Sequence, residues 1–181
     1  MKVRYKNLWI RDAEIADAAK LCQWWNDGEL MKYLGFPNGL GKSVEEIEDK
    51  IENYTDEKGR LLLIEYQGQS IGEMFYDNLG NQVAEIHIKI CEAIYRNKGL
   101  GRIILSLLIK ELFNQGYQKI ILDVNLQNTR AQHVYELLGF KKLRINDDSW
   151  VDQLGCSQSS VDYELVENDF RDYATDTNIG G

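Results

Sequence analysis

Proline, cysteine and histidine are scarce in this 181-residue chain, which has 1, 3 and 2 of them. One proline beside 15 glycines excludes a proline-rich linker or a collagen-like architecture. The cysteines are odd in number and lack C-x-x-C spacing, so we expect neither a disulfide framework nor a metal site, and a reducing, cytoplasmic setting. No run approaches the roughly 18 apolar residues of a membrane span, and no secretory signal is visible. We therefore expect no membrane partner.

Basic residues are also outnumbered, with 21 Lys and Arg against 29 Asp and Glu, for a net charge of −8. A nucleic-acid-binding surface needs a basic footprint, so we expect no nucleic-acid partner. The negative net charge is compatible with a cationic substrate. Length and the 44% hydrophobic content are those of one ordinary domain.

Apolar periodicity and turn residues predict a mixture of strands and helices. A capping box, Ser43 with Glu46, marks one helix start. The predicted order is a strand at 8–11, a helix at 17–26, a loop at 35–41, a helix from 43, strands at 60–66, 70–76 and 83–90, a helix at 99–115, a strand at 119–124, a helix at 129–138, and strands at 140–145 and 158–166 joined by a polar loop.

This order predicts the sheet topology. The strands at 60–66 and 70–76 form a hairpin, and the helical crossover between 83–90 and 119–124 makes those two strands parallel. We therefore predict an α/β (α+β) fold, a single domain over 1–168 with a mixed, mostly antiparallel sheet flanked by helices. Residues 169–181 are predicted to form a flexible C-terminal tail.

A charged, glycine-containing loop precedes the strongest amphipathic helix, in the order Arg96-Asn97-Lys98-Gly99-Leu100-Gly101-Arg102. Unpaired amides at a helix start form an anion site, most naturally for phosphate, and glycine allows close approach of the backbone. The loop lacks the Gly-Lys-Ser/Thr ending of a P-loop, and Ile104 stands where a dinucleotide-binding fingerprint needs its third glycine.

A second motif, Asn128-x-x-Ala131-x-x-x-Tyr135 followed by Gly139-Phe140, stands downstream of this loop. In this order and spacing the two motifs resemble the GNAT acetyltransferase superfamily, within it the bacterial branch similar to ribosomal-protein alanine acetyltransferases. The resemblance implies that the loop binds the pyrophosphate of acetyl-CoA, the co-substrate. The cofactor contacts it implies are Lys89, Ile90, Arg96, Asn97, Lys98, Gly99, Leu100, Gly101, Arg102 and Asn128, with Lys89 and Ile90 pairing with pantetheine through their backbone.

Acetyl transfer to an amine also needs a base, since an alkylammonium of pKa about 10 is protonated at neutral pH. Glu85, eleven residues before Arg96, resembles the glutamate that serves as general base in the histone-modifying branch. Glu73 on the adjacent strand and His87 are the alternatives, and the sequence leaves the choice open. Tyr135 matches the family tyrosine near the CoA sulfur and is the predicted acid.

The predicted activity is an acetyl-CoA-dependent N-acetyltransferase that acts on a primary amine, a small molecule or a protein N-terminus, by direct attack in a ternary complex. An O-acyltransferase, a user of another acyl-CoA and a non-catalytic acyl-CoA sensor are the alternatives. The acceptor is expected to be selected by residues 24–42 and by the predicted loop at 146–157. A homodimer is compatible with the sequence, which carries no code for the oligomeric state.

Overall fold

The computed structural model describes residues 1–55 and 57–175, and one eight-stranded sheet runs through them. Its spatial order is β1-β2-β3-β4-β5-β6-β8-β7. All neighbours are antiparallel except β5 and β6, which are parallel, so the predicted mixed sheet is confirmed. The strands are β1 Lys2–Tyr5, β2 Leu8–Asp12, β3 Gly59–Tyr66, β4 Gln69–Asn78, β5 Val83–Ile90, β6 Lys119–Asn125, β7 Lys141–Val151 and β8 Ser157–Val166.

In the described ranges five α-helices flank the sheet: α1 Ala18–Trp25, α2 Gly28–Met31, α3 Val44–Asn53, α4 Leu100–Asn114 and α5 Thr129–Leu137. The predicted capping box of α3 is confirmed, because Ser43 accepts from the Glu46 amide and Glu46 accepts from the Ser43 amide. Short 3-10 turns lie at 15–17, 32–34, 93–95 and 167–169. No helix in the described part of the chain is long and apolar enough to cross a membrane.

The sequence prediction missed three pieces of secondary structure. β1 and the one-turn helix α2 were not predicted, and α2 is capped by Asp27, which accepts from two amides of its first turn. The polar loop predicted at 146–157 is wrong, because β7 continues to Val151 and only a five-residue turn separates it from β8. β7 is the outer strand of the sheet and is mostly exposed, and charged residues are typical of such an edge.

The two faces of the sheet bury separate apolar clusters. The cluster beneath α4 and α5 includes Ile64, Met74, Ile86, Leu108 and Tyr163. The cluster beneath α1 to α3 is smaller and covers the face on which β3 places its residues 61 and 63. The second cluster does not extend over β6, so the same face of β5 and β6 stays open.

The parallel pair β5 and β6 is short. Its ladder joins residues 83–85 to residues 119–121, and the described residues form no further pair beyond Glu85 and Ile121. The two strands therefore diverge, and the backbone edge of β5 from Ile86 to Ile90 faces a gap. This gap is the central feature of the site described below.

The predicted tail begins inside the described residues. Phe170 and Tyr173 pack against the larger apolar cluster, the Tyr173 amide donates to the Ser106 hydroxyl over 2.9 Å, and Ala174 is buried. Over this stretch the structure differs from the predicted flexible tail, because apolar side chains are buried there. Residues 176–181 lie outside the described residues.

Candidate active site

The glycine loop connects β5 to α4 through two residues in the left-handed region. Asn97 has φ 62° and Gly99, the N-cap of α4, has φ 75°. This backbone turns the start of α4 toward the gap, where the first amides of a helix have no partners within the helix and attract anions. Gly101 lies in the first turn, and a Cβ added there would meet only Ile90 Cδ1, at 3.9 Å. The space in front of the helix start is therefore open to a ligand.

A cavity of about 560 Å³, the glycine-loop cavity, lies at this helix start. Nine of the ten predicted cofactor contacts line it, namely Lys89, Ile90, Arg96, Asn97, Gly99, Leu100, Gly101, Arg102 and Asn128. The remaining one, Lys98, does not line the cavity, and its ammonium lies 5.9 Å from the Tyr95 ring. Arg130 at the start of α5 was not predicted but adds a further positive charge to the wall.

Arg96 lines the cavity and also holds the glycine loop against β5. Its guanidinium donates to the carbonyl oxygens of Ile90 and Cys91 at the end of β5, the first over 2.9 Å. These bonds fix the beginning of the glycine loop to the strand. Asn128 also combines two roles, because it caps α5 by accepting from the Ala131 amide while it lines the cavity.

A second cavity of about 320 Å³, the Trp150 cavity, adjoins the first. Its polar lining includes Glu73, His87, Asp123 and Asn125, and aromatic side chains lie between them: Tyr33, Phe75 and Trp150. Five residues line both cavities: Tyr33, Ile88, Lys89, Asn128 and Tyr135. The two cavities therefore meet where β5 and β6 diverge.

Tyr135 stands at this junction and is only 7% exposed. Its ring packs edge-on to Phe140, with centroids 5.7 Å apart, and lies near Tyr163. No described residue forms a hydrogen bond with its hydroxyl. Burial, with a contribution from Asp123, raises the pKa of Tyr135 above its ordinary 10.0, so the hydroxyl keeps its proton at neutral pH.

Glu73 and Lys89 form a buried ion pair at the wall of the Trp150 cavity. They are directly opposed on β4 and β5, and the Lys89 ammonium donates to Glu73 Oε1 over 2.7 Å and to the Met31 sulfur over 3.0 Å. Glu73 is 2% exposed, and its second oxygen, Oε2, is buried without a hydrogen-bond partner among the described residues.

His87 lies two residues before Lys89 on β5, and its ring stacks on that of Phe75 with the centroids 4.2 Å apart. Burial lowers its pKa below the ordinary 6.5, against the opposing effect of Asp123, Asp77 and Glu73, so the imidazole is neutral at neutral pH. His87 also lies close to two carboxylates: an imidazole nitrogen of His87 and one carboxylate oxygen each from Asp77 and Glu85 all lie within 4.8 Å of one another. Such a group can share a proton, and its composition also suits a divalent cation.

Glu85, the predicted base, is separated from Tyr135. It lines a third cavity, bounded by β6, β7 and β8, and does not line either cavity that contains Tyr135. Burial raises the pKa of Glu85, and the nearby Asp123, Asp77 and Asp162 add to the effect. Of the three candidate bases, Glu73 and His87 share a cavity with Tyr135. Cys91 is buried, which raises the pKa of its thiol to about 12 and makes it a poor nucleophile.

The mouth of the Trp150 cavity is framed by two segments far apart in the sequence. Trp150, at the end of β7, packs against Gly35, where an added Cβ would lie 2.4 Å from the indole ring. Gln153 in the following turn accepts from the Asn38 amide over 2.9 Å and donates to the Gly39 carbonyl over 3.1 Å. These contacts join the β7–β8 turn to the loop after α2. From the sequence we expected both segments to select the acceptor, but no pattern in the sequence singled out Trp150.

A cavity suited to a phosphate-bearing donor that adjoins a second polar cavity, with a buried tyrosine, Tyr135, among the residues that line both, is the arrangement of a group-transfer enzyme. The model of the acetyltransferase (GNAT) domain family matches residues 7–141, and the chain belongs to this family of acetyltransferases. The predicted family membership is thereby confirmed. A search of the curated proteins gives no match.

Solved structures of acetyltransferases share the fold. The spermidine N-acetyltransferase from Vibrio cholerae, in complex with CoA and spermine, has a TM-score of 0.81 at 22% identity over 91% of this chain and 98% of its own. A ribosomal L7/L12 alpha-N-protein acetyltransferase in complex with CoA has a TM-score of 0.82 at 15% identity over 92% and 98%. The ribosomal-protein-alanine N-acetyltransferase from Brucella melitensis has a TM-score of 0.75 at 20% identity over 87% and 98%.

Proposed function

We propose that this acetyltransferase moves the acetyl group of acetyl-CoA to a primary amine by direct attack in a ternary complex. The observation that carries the proposal is the position of Tyr135, at the junction of a cavity built for an anionic donor and a cavity lined by titratable side chains. Donor and acceptor can therefore meet at one point without a covalent enzyme intermediate.

The glycine-loop cavity is the proposed donor site. The amides at the start of α4, with Arg102 and Arg130 beside them, suit the pyrophosphate of CoA. The free edge of β5 at Lys89 and Ile90 offers backbone donors and acceptors to pantetheine, in the manner of an added strand. This arrangement directs the thioester from the helix start toward Tyr135.

The Trp150 cavity is the proposed acceptor site, and His87 is the proposed base. His87 lines this cavity and is neutral, whereas Glu73 is already paired with Lys89 and Glu85 lies outside the cavity. Glu85 then acts as a positioning residue, because its carboxylate lies within 4.8 Å of an imidazole nitrogen and stabilises the imidazolium that forms.

The reaction follows from these positions. The ammonium of the acceptor first gives one proton to the imidazole of His87, which releases it to solvent. The neutral amine nitrogen then bonds to the thioester carbonyl carbon, and a second proton passes from this nitrogen to His87. When the tetrahedral intermediate collapses, the C–S bond breaks and the CoA thiolate takes the proton of the Tyr135 hydroxyl. The products are the amide and the CoA thiol, and the proton on His87 returns to the tyrosinate through solvent.

Solved structures of the same fold support an amine as acceptor. Their names describe acetylation of spermidine and of protein N-termini, and both classes present a primary amine.

The proposal is tested by the release of CoA from acetyl-CoA with a panel of polyamines, aminoglycosides, amino acids and N-terminal peptides. Release that depends on an amine, with the acetamide identified by mass spectrometry, supports the proposal. Acetyl ester products would favour the O-acyltransferase, and CoA binding without release would favour the sensor. EDTA in a parallel reaction tests the predicted absence of a metal at Asp77, Glu85 and His87.

The cytoplasmic location and the homodimer stay predictions. All three cysteines, Cys22, Cys91 and Cys156, are free, which suits a reducing compartment. Light scattering coupled to size exclusion measures the oligomeric state directly.

A further inference from the structure

The C-terminal segment, which we define as residues 170–174, is fastened to α4 next to the glycine-loop cavity. The Tyr173 amide donates to the buried Ser106 hydroxyl over 2.9 Å, and Asp172 forms an ion pair with Lys110 over 3.1 Å. Ser106 and Lys110 are four residues apart and therefore lie on one face of α4. The segment thus runs along this helix toward its start.

Arg102 lies one turn nearer the start of α4 on the same face, and its guanidinium lies over the Tyr173 ring, 5.2 Å from the centroid. The same guanidinium lies against the glycine loop, because a Cβ added to Gly99 would be 3.5 Å from Arg102 Nη2. In the part of the chain that the structure describes, no carboxylate pairs with Arg102. An exposed cation is therefore held by an aromatic ring beside the loop, and its charge is not neutralised.

This geometry suits a phosphate ligand. The N–H donors of a guanidinium lie in its plane, so a contact between its face and the Tyr173 ring leaves donors for phosphate oxygens. A flexible arginine loses rotamer freedom when it binds a ligand, and an arginine that is already held loses less. Because Arg102 lines the glycine-loop cavity, its contact with Tyr173 favours the binding of an anion there.

We propose that Tyr173 is a positioning residue for the donor: its ring holds the Arg102 guanidinium beside the glycine loop, where it pairs with the pyrophosphate of CoA. This inference rests on the proposed function and adds a residue of the C-terminal segment to the donor site. Tyr173 does not line the cavity itself, so its effect on the donor passes through Arg102. A purely structural role would instead affect every ligand and the stability of the fold alike.

The test compares CoA with pantetheine, which has the same thiol arm but lacks the pyrophosphate. Calorimetry measures the Kd of CoA, and a ligand-detected NMR titration measures that of pantetheine. Tyr173→Leu is expected to weaken CoA binding about three- to tenfold, because the aromatic face is lost, and to leave pantetheine binding unchanged. Tyr173→Phe keeps the ring and is expected to bind CoA as the wild type does, although the hydrogen bond of the hydroxyl to the Leu137 carbonyl is lost.

Two further variants separate the contact with Arg102 from packing. Arg102→Gln is expected to weaken CoA binding, and Tyr173→Leu is expected to have no additional effect in this background. Phe170→Leu is the matched control, since it removes another ring of the C-terminal segment, one that packs against Phe113 with the centroids 6.0 Å apart. It is expected to lower the melting temperature and to keep the affinities for both ligands.

Hydrogen exchange adds a readout that does not depend on the folding of a Tyr173 variant. If CoA binds to Arg102 in the orientation that Tyr173 favours, CoA stabilises the contact between the two residues in return. Saturating CoA is therefore expected to slow exchange of the Tyr173 amide in the wild type but not in Arg102→Gln.

Several results would overturn this inference and leave the proposed function standing. They are unchanged CoA affinity in Tyr173→Leu, an equal loss for CoA and pantetheine in that variant, the same loss of CoA affinity in Phe170→Leu, and a Tyr173 amide whose exchange CoA does not slow in the wild type. If the wild-type chain did not bind CoA, the proposed donor site and this inference would fail together.

Discussion

Replacing Tyr135 with phenylalanine isolates one hydroxyl group. The ring contacts with Phe140 and Tyr163 are retained, and no described residue loses a hydrogen bond. The free energy of unfolding is therefore expected to change by less than about 0.5 kcal/mol. General acids contribute about 10²–10⁴-fold, and a thiolate of pKa about 8.5 already leaves well, so the low end applies. We expect kcat to fall about 10²-fold, equivalent to about 2.7 kcal/mol of transition-state stabilisation.

The assay follows CoA thiol release at saturating amine, with single-turnover measurements to establish that chemistry limits the rate. The KM for acetyl-CoA is expected to stay near that of the wild type, because binding of the donor is assigned to the glycine loop. An unchanged kcat, under conditions in which chemistry is rate-limiting, would refute the role of the hydroxyl and leave Tyr135 as a core residue.

Further substitutions test other parts of the site. Gly101→Val places a branched side chain in the open space before α4 and is expected to weaken CoA binding about tenfold or more by calorimetry; undiminished affinity would contradict the anion site. His87→Gln is expected to lower kcat/KM about 10²-fold. In the wild type, kcat/KM is expected to decrease as the pH falls through the depressed pKa of the imidazole, and His87→Gln is expected to remove this decrease. Glu85→Gln is expected to lower kcat/KM by a smaller factor, and this loss is expected to shrink at high pH. If both variants kept the wild-type dependence of kcat/KM on pH, His87 would be excluded as the base. Lys89→Met leaves the Glu73 carboxylate buried and unpaired and is expected to cost about 3 kcal/mol in urea unfolding; a second change, Glu73→Gln, is expected to recover part of the loss, and additive effects would argue against a coupled pair.

The cavity that we propose for the donor could be predicted from the sequence because its residues are local in the chain. The glycine loop and the α4 start are contiguous residues, and their chemistry belongs to the backbone. The second motif reaches the same cavity because the parallel pairing of β5 and β6 follows from the helical crossover. Lys98 does not line the cavity, because its side chain is exposed and its ammonium lies near the Tyr95 ring, an orientation that the motif itself does not indicate.

The acceptor half could not be read in the same way because its residues come from separate elements. Tyr33, His87, Asp123 and Trp150 belong to four segments, and only the register of the strands brings them together. Alternation along β5 placed Glu85, His87 and Lys89 on one face correctly, but it cannot tell which of them stands beside Tyr135. That depends on where the parallel ladder ends, a feature with no local signal in the sequence.

The bridge from Gln153 to residues 38 and 39, together with Trp150 against Gly35, has a consequence for how acceptor preference can change. The two segments are more than a hundred residues apart in the chain, yet neither can shift without disturbing the other. Exchanging only one of them between related enzymes should leave mismatched contacts at the cavity mouth. Grafting a new preference onto this scaffold would require transplanting both segments as a matched set, and single substitutions there should show strong epistasis.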